Sequence, residues 1–150
     1  MSETVEPTVG VLSAGECFDI LHSSRVVRVG FVVDGRPEVL PYSYRVTDRG
    51  ADGHLVVIRT DVAGLLARAE PAVCLELDDI DESSGRAWSV VAHGVQRSAS
   101  GTEWLPEPDP WPGDERGTWR VVEIADISGR RFTAQPVARL AGFSVEWQVG

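Results

Sequence analysis

Lysine is missing from this chain: all 14 basic residues among its 150 are arginine. That absence excludes Schiff-base chemistry on a lysine amine, and it leaves any bound anion to guanidinium groups or backbone N–H. Against 23 acidic residues the basic ones give a net charge of −9, which argues against nonspecific nucleic-acid binding, since that depends on a basic surface. Cysteine is scarce. Cys17 and Cys74 each sit in apolar company, where buried reduced thiols explain them better than a disulfide or a metal pair. No apolar run approaches membrane-spanning length, and residues 1–12 lack the basic start and apolar core of a signal peptide, so a cytoplasmic protein is expected.

Familiar chemical signatures are missing too. There is no GxGxxG, no P-loop and no nucleophile elbow. His22, His54 and His93 are scattered, without partners at metal-ligand spacing, and read as surface or structural histidines. The run Glu76, Asp78, Asp79, Asp81, Glu82 lacks the regular ligand positions and central glycine of a calcium loop, so it reads as a solvated acidic turn.

What is present is a globular composition, 43% hydrophobic and 25% charged, at a length that suits one domain. Residues 1–11 read as a frayed leader. Ser13-Ala14-Gly15-Glu16 forms a capping box ahead of Cys17, Ile20 and Leu21, which share one helical face, so a helix over about 14–23 is expected. Val26 to Val33 is almost wholly apolar, the pattern of a strand covered on both faces. Asp34-Gly35 is a hairpin turn into a second strand, roughly Pro37 to Thr47, and a third spans His54 to Thr60. A fourth strand centres on Val73, Leu75 and Leu77, with Asp78 to Gly85 as a turn region; a fifth runs from Arg86 to Ala99. Gly101 to Gly117 carries four prolines and reads as a long loop before a sixth strand, Trp119 to Ile127. In the tail, Phe143, Val145 and Trp147 alternate as in a short added strand. Five or six strands, mostly in hairpin succession, with one or two short helices predict a mainly β chain, either an antiparallel barrel or a β-rich α+β domain.

Two features point to a ligand. Val56 to Ile58 ends in Arg59-Thr60-Asp61 and runs into Val62 to Glu70, a strand passing into a short helix capped by Thr60 or Asp61. A helix N-terminus beside an arginine makes a site for an anion such as phosphate. Pro41 interrupts a strand pattern just before Tyr42-Ser43-Tyr44, which implies an edge, a bulge, or a place where a ligand meets the backbone. Trp88-Ser89 in the fifth strand and Trp111 in the proline-rich loop offer aromatic faces to a planar ring.

The order Gly35-Arg36-Pro37-x-Val39-x-Pro41-x-x-Tyr44, Ile58-Arg59-Thr60, Leu75-Glu76-Leu77-Asp78-x-Ile80-Asp81 and Trp88-Ser89-Val90-Val91-x-x-Gly94 resembles the pyridoxamine 5′-phosphate oxidase-like family of flavin-binding split barrels. Trp111-x-Pro-Gly-x-x-x-x-Trp119 and Asp126-Ile127-Ser128-Gly129-Arg130-Arg131-Phe132 are similar to that family's ending, so the resemblance covers residues 13–132. It implies a six-stranded antiparallel split barrel, a two-fold homodimer, and FMN in a groove shared by both subunits. Arg59 and Thr60, with Gly64 in the following helix, would hold the FMN phosphate. Pro41, Tyr42, Ser43 and Tyr44 would run along the isoalloxazine, and Trp88 and Ser89 would face it. Trp111 and one of Arg130 or Arg131 would come from the partner subunit. Two departures stand out: relatives usually carry Ser or Thr and then Lys where this chain has Gly64 and Leu65, and a frequent Asn is Ser43. The expectation is an FMN-dependent oxidoreductase acting on a small molecule, with reduced deazaflavin (F420) or a nicotinamide as electron source. The alternative is a cofactor-poor or haem-binding split barrel without redox activity; a barrel carrying a lipophile is a third, which the interrupted strand at Pro41 fits poorly.

Overall fold

The computed structural model describes residues 8–47, 54–60, 64–99, 106–108 and 118–133. Seven strands and two helices follow one another: β1 (Thr8–Leu12), α1 (Ala14–Ser23), β2 (Val26–Val33), β3 (Arg36–Thr47), β4 (Leu55–Arg59), α2 (Leu65–Arg68), β5 (Ala72–Asp81), β6 (Arg86–Ser98) and β7 (Trp119–Thr133). All the pairings are antiparallel, and β7 also pairs β6, which closes β7-β4-β3-β2-β5-β6 into a six-stranded barrel. The 15-residue β7 makes this closure: its first part pairs β4 while its later part pairs β1, and β6 lies along its other edge.

Local signals account for most of the elements. The Ser13 hydroxyl accepts from the Glu16 N–H and the Glu16 carboxylate accepts from the Ser13 N–H, so α1 starts where its capping box places it. Asp34 and Gly35 both adopt positive φ, 52° and 74°, the two-residue turn whose twist matches the flanking strands. Along the inner face, Val27, Val29 and Phe31 meet Val56, Ile58, Leu75, Leu77, Val90, Ala92 and Val122, and Cys17 and Leu21 of α1 join that core. Each Val, Leu, Ile or Phe side chain among these taken from water stabilises the barrel by about 1.5–3 kcal/mol. Both cysteines are free thiols, Cys17 buried and Cys74 half-buried.

Four expectations are corrected. Residues 8–12, read as leader, form β1; Val9 and Val11 remain exposed, so the strand is held by its ladder with β7 and carries no burial pattern of its own. β2 alternates between buried and exposed instead of being covered on both faces, with Val26 and Arg28 outward. β5 continues through Asp78 to Asp81, because pairing with β6 outweighs the low strand propensity of aspartate, and the turn is confined to the residues Asp81 caps. β7 extends past Ile127 to Thr133, carried by partners on both sides. Phe143, Val145 and Trp147, with most of the proline-rich loop, lie outside the described residues.

Candidate functional site

Arg59 ends β4 with its side chain only 9% exposed. Its Nη1 donates to Glu107 Oε1 at 3.1 Å and to the Pro108 carbonyl at 3.4 Å. Thr60 is wholly buried: its N–H donates to the Thr118 carbonyl at 2.9 Å, and its hydroxyl lies 3.1 Å from that oxygen and 3.0 Å from the Thr118 hydroxyl. Thr60 thus ties the end of β4 to the start of β7. Thr60 does not cap α2, and Asp61 lies outside the described residues. The helix α2 begins at Leu65, has four residues, and takes Gly64 as an N-cap without a side-chain hydrogen bond. One turn supports little dipole, so the anion-holding capacity of this corner rests on the Arg59 guanidinium rather than on a helix end.

The second feature is a cleft of about 250 Å³ lined by Ser24, Val26, Arg28, Pro41, Leu77, Asp78 and Trp88. It brings together Pro41 of β3 and Trp88 of β6, which come from strands on either side of β2 and β5. Among the described residues, Pro41 falls on the half of β3 that has β2 as its only ladder neighbour, since β4 pairs β3 from Tyr44 onward. A residue without an N–H fits such an edge. At the rim, Arg28 Nη1 donates to both Glu76 Oε2 at 3.0 Å and Asp78 Oδ2 at 3.1 Å. These carboxylates hold the Arg28 guanidinium above its ordinary value, while burial and the neighbouring Asp78 push the Glu76 carboxyl up.

The barrel relates the two features. Val26 lies opposite Ser43, and Tyr44 opposite Ile58, so one step on Ser43 sits beside Arg59. Two inter-strand spacings, roughly 10 Å, separate Val26 at the cleft from Arg59.

Other expected site residues separate by face. Tyr42 is half-buried and Ser43 buried on β3. Tyr44 is a core residue, 1% exposed, whose hydroxyl donates to the Leu21 carbonyl; burial pushes its pKa up to about 12. It fastens α1 to the barrel and presents no proton to a ligand. Trp88 lines the cleft and Ser89 does not; Ser89 lies opposite Asp78 and Arg130 in the two ladders of β6. Arg130 is exposed, and Arg131 donates to Glu16 Oε2 at 2.8 Å, which also helps hold the Glu16 carboxyl below its ordinary value after the Ser13 hydrogen bonds. Trp111 lies outside the described residues. The sequence reading missed Glu107, which sat in a loop read only by its prolines, and Gln96, whose buried role shows in no local pattern. Among the described residues no cluster of three or more His, Cys, Asp or Glu could hold a metal ion, and no helix is long and apolar enough to cross a membrane.

Residues 13–131 match the family described as pyridoxamine 5′-phosphate oxidase. Among solved structures, the chain is similar to the FAD-binding protein of Mycobacterium smegmatis, with 31% identity and a TM-score of 0.62 over 83% of this chain and 99% of that one. It shares its fold with an FAD-binding protein of Mesorhizobium loti, at 21% identity and a TM-score of 0.60 over 85% of this chain and 99% of that one. The FAD and heme binding protein of Mycobacterium smegmatis aligns at 16% identity and a TM-score of 0.52, over 78% of this chain and 70% of that one. No curated protein matches the chain.

Proposed function

The chain belongs to the pyridoxamine 5′-phosphate oxidase family, and from that premise we propose that it binds a flavin, FMN or FAD, and works as an oxidoreductase on a small molecule. The flavin would supply hydride or electron transfer. Pro41 and Trp88 would flank its ring system in the cleft, and Arg59 would hold a phosphate. The observation that carries this reading is the convergence of Pro41 and Trp88 on one cleft, with a buried guanidinium two strands away. The residues fit the group: the cleft wall is apolar at Val26, Leu77 and Pro41, aromatic at Trp88, and charged at its rim. The anion corner is weaker than in a site with a full helix end, for Gly64 and Leu65 add no charge and α2 has a single turn.

The protein's part in the chemistry is to bind and orient. Trp88 and Pro41 exclude water from the ring's faces, and the Arg28–Glu76–Asp78 cluster sets the charge that a substrate meets at the rim. The outer face of the β3-β2-β5-β6-β7 sheet carries Val39, Val26, Ile80 and Phe132 exposed, and their registers place them on the same side. That face suits a second copy of this chain, and a homodimer completes the proposal.

Titrating the purified protein with FMN and with FAD, followed by flavin fluorescence and visible absorption, tests the reading. Saturable binding of either flavin supports it, and indifference to both overturns it. The second reading, a cofactor-poor or haem-binding barrel, draws on the pairing of Arg59 with an internal carboxylate; it predicts a colourless protein or a Soret band.

A further inference from the structure

Arg59 and Glu107 form an unequal pair: the arginine side chain is 9% exposed and the glutamate 68%. A buried guanidinium without a counter-anion is costly, so something must neutralise it when no ligand is present. Glu107 brings negative charge to it from the solvent side, through one oxygen on Nη1 at 3.1 Å. Pro108 biases the Glu107 backbone toward an extended conformation, and Pro106 fixes its own φ just before it. The Pro108 carbonyl, 3.4 Å from the same nitrogen, adds a neutral contact.

We propose that the Glu107 carboxylate is a built-in substitute for the phosphoryl group at Arg59, an internal competitor that sets the threshold for ligand binding. The inference rests on the reading that Arg59 holds a phosphate. A phosphoryl group brings more charge and more acceptor oxygens than a carboxylate, so it takes the guanidinium when present. The displaced carboxylate returns to water at little cost, being two-thirds exposed already. Arg59 thereby stays neutralised in both states. A phosphate-free ligand gains nothing at this corner, because it leaves Glu107 in place.

The experiment uses the full chain with Glu107→Gln, read by flavin titration and by the thermal shift that inorganic phosphate and pyrophosphate produce. Expected are flavin binding about tenfold tighter than wild type, on the scale of one charge-assisted hydrogen bond, and a larger phosphate-induced rise in Tm. Both gains should vanish in the Arg59→Ala/Glu107→Gln double variant. Unchanged or weaker flavin and phosphate binding in Glu107→Gln overturns the proposal, since it makes Glu107 an orienting partner of Arg59. If flavins bind neither protein while phosphate stabilises Glu107→Gln more than wild type, the competitor stands and the flavin assignment falls. Should Glu107→Gln fail to fold, Glu107→Asp, shorter by one methylene, carries the same expectation with a smaller gain.

Discussion

The carboxamide of Gln96 holds the end of α2, donating through Nε2 to the Leu66 carbonyl at 2.7 Å. The same nitrogen reaches the Glu70 carbonyl at 3.1 Å, while its Oε1 accepts from Arg120 Nε at 3.1 Å. A four-residue helix has few internal hydrogen bonds, and its last carbonyls need partners. Gln96, on β6, supplies them and so anchors the segment that follows Arg59 and Thr60. Gln96→Leu keeps the volume but removes the bonds to the Leu66 and Glu70 carbonyls and takes the Oε1 acceptor from Arg120 Nε, at about 1–3 kcal/mol. Urea denaturation should show that loss as a lower midpoint with an unchanged slope.

Arg59→Ala removes the guanidinium on which the anion corner depends. Loss of one charge-assisted contact, about 1.5–3 kcal/mol, should weaken flavin binding by at least about tenfold. Circular dichroism should show the barrel retained. Equal flavin affinity in a folded variant removes Arg59 from the site.

Alkaline pH reports on Tyr44. Burial raises its pKa from 10.0 to about 12. Between those values the unfolded chain has released the phenolic proton and the folded one keeps it, so stability is complete below pH 10 and falls as pH rises toward 12. Tyr44→Phe should lose about 1 kcal/mol at neutral pH with the hydrogen bond to Leu21, and this part of the alkaline slope should disappear. Denaturation midpoints across alkaline pH measure both.

Gly94 sits at the register shift of β6 against β7, where a Cβ would run into the Glu123 carbonyl oxygen. Backbone cannot yield as a flexible side chain does. Gly94→Ala should therefore cost about 1–3 kcal/mol, read as a lower Tm, whereas alanine at Gly15 on the exposed helix surface should not destabilise.

Val39 is 64% exposed on the outer sheet face assigned to a second copy. Val39→Glu should leave monomer stability within about 0.5 kcal/mol yet split the proposed dimer. Light scattering coupled to size exclusion reads the result, and a wild-type monomer would remove the proposed interface.

Signals spanning a few residues were legible without the fold. The capping box of Ser13 and Glu16, the Asp34-Gly35 turn and the bounds of Val26–Val33 all appear as expected, because cap, turn and periodicity are decided by near neighbours. The ordered run of short patterns from Gly35 to Gly94 is enough by itself to carry the family resemblance.

Partners distant in sequence decided the rest. Val26 faces outward although its strand is almost wholly apolar, and only the sheet's closure says which side is inside. The local pattern around Arg59 and Thr60 predicts a helix from Val62 capped by Thr60 or Asp61, whereas α2 starts at Leu65 with Gly64 as its cap. Tyr44 carried the family pattern yet its hydroxyl belongs to Leu21, 23 residues away. Glu107 meets Arg59 across 48 residues and Gln96 meets Leu66 across 30. Chemistry and local geometry are written in the residue types; which buried cation meets which carboxylate is settled only when barrel closure brings distant strands and loops into hydrogen-bonding range.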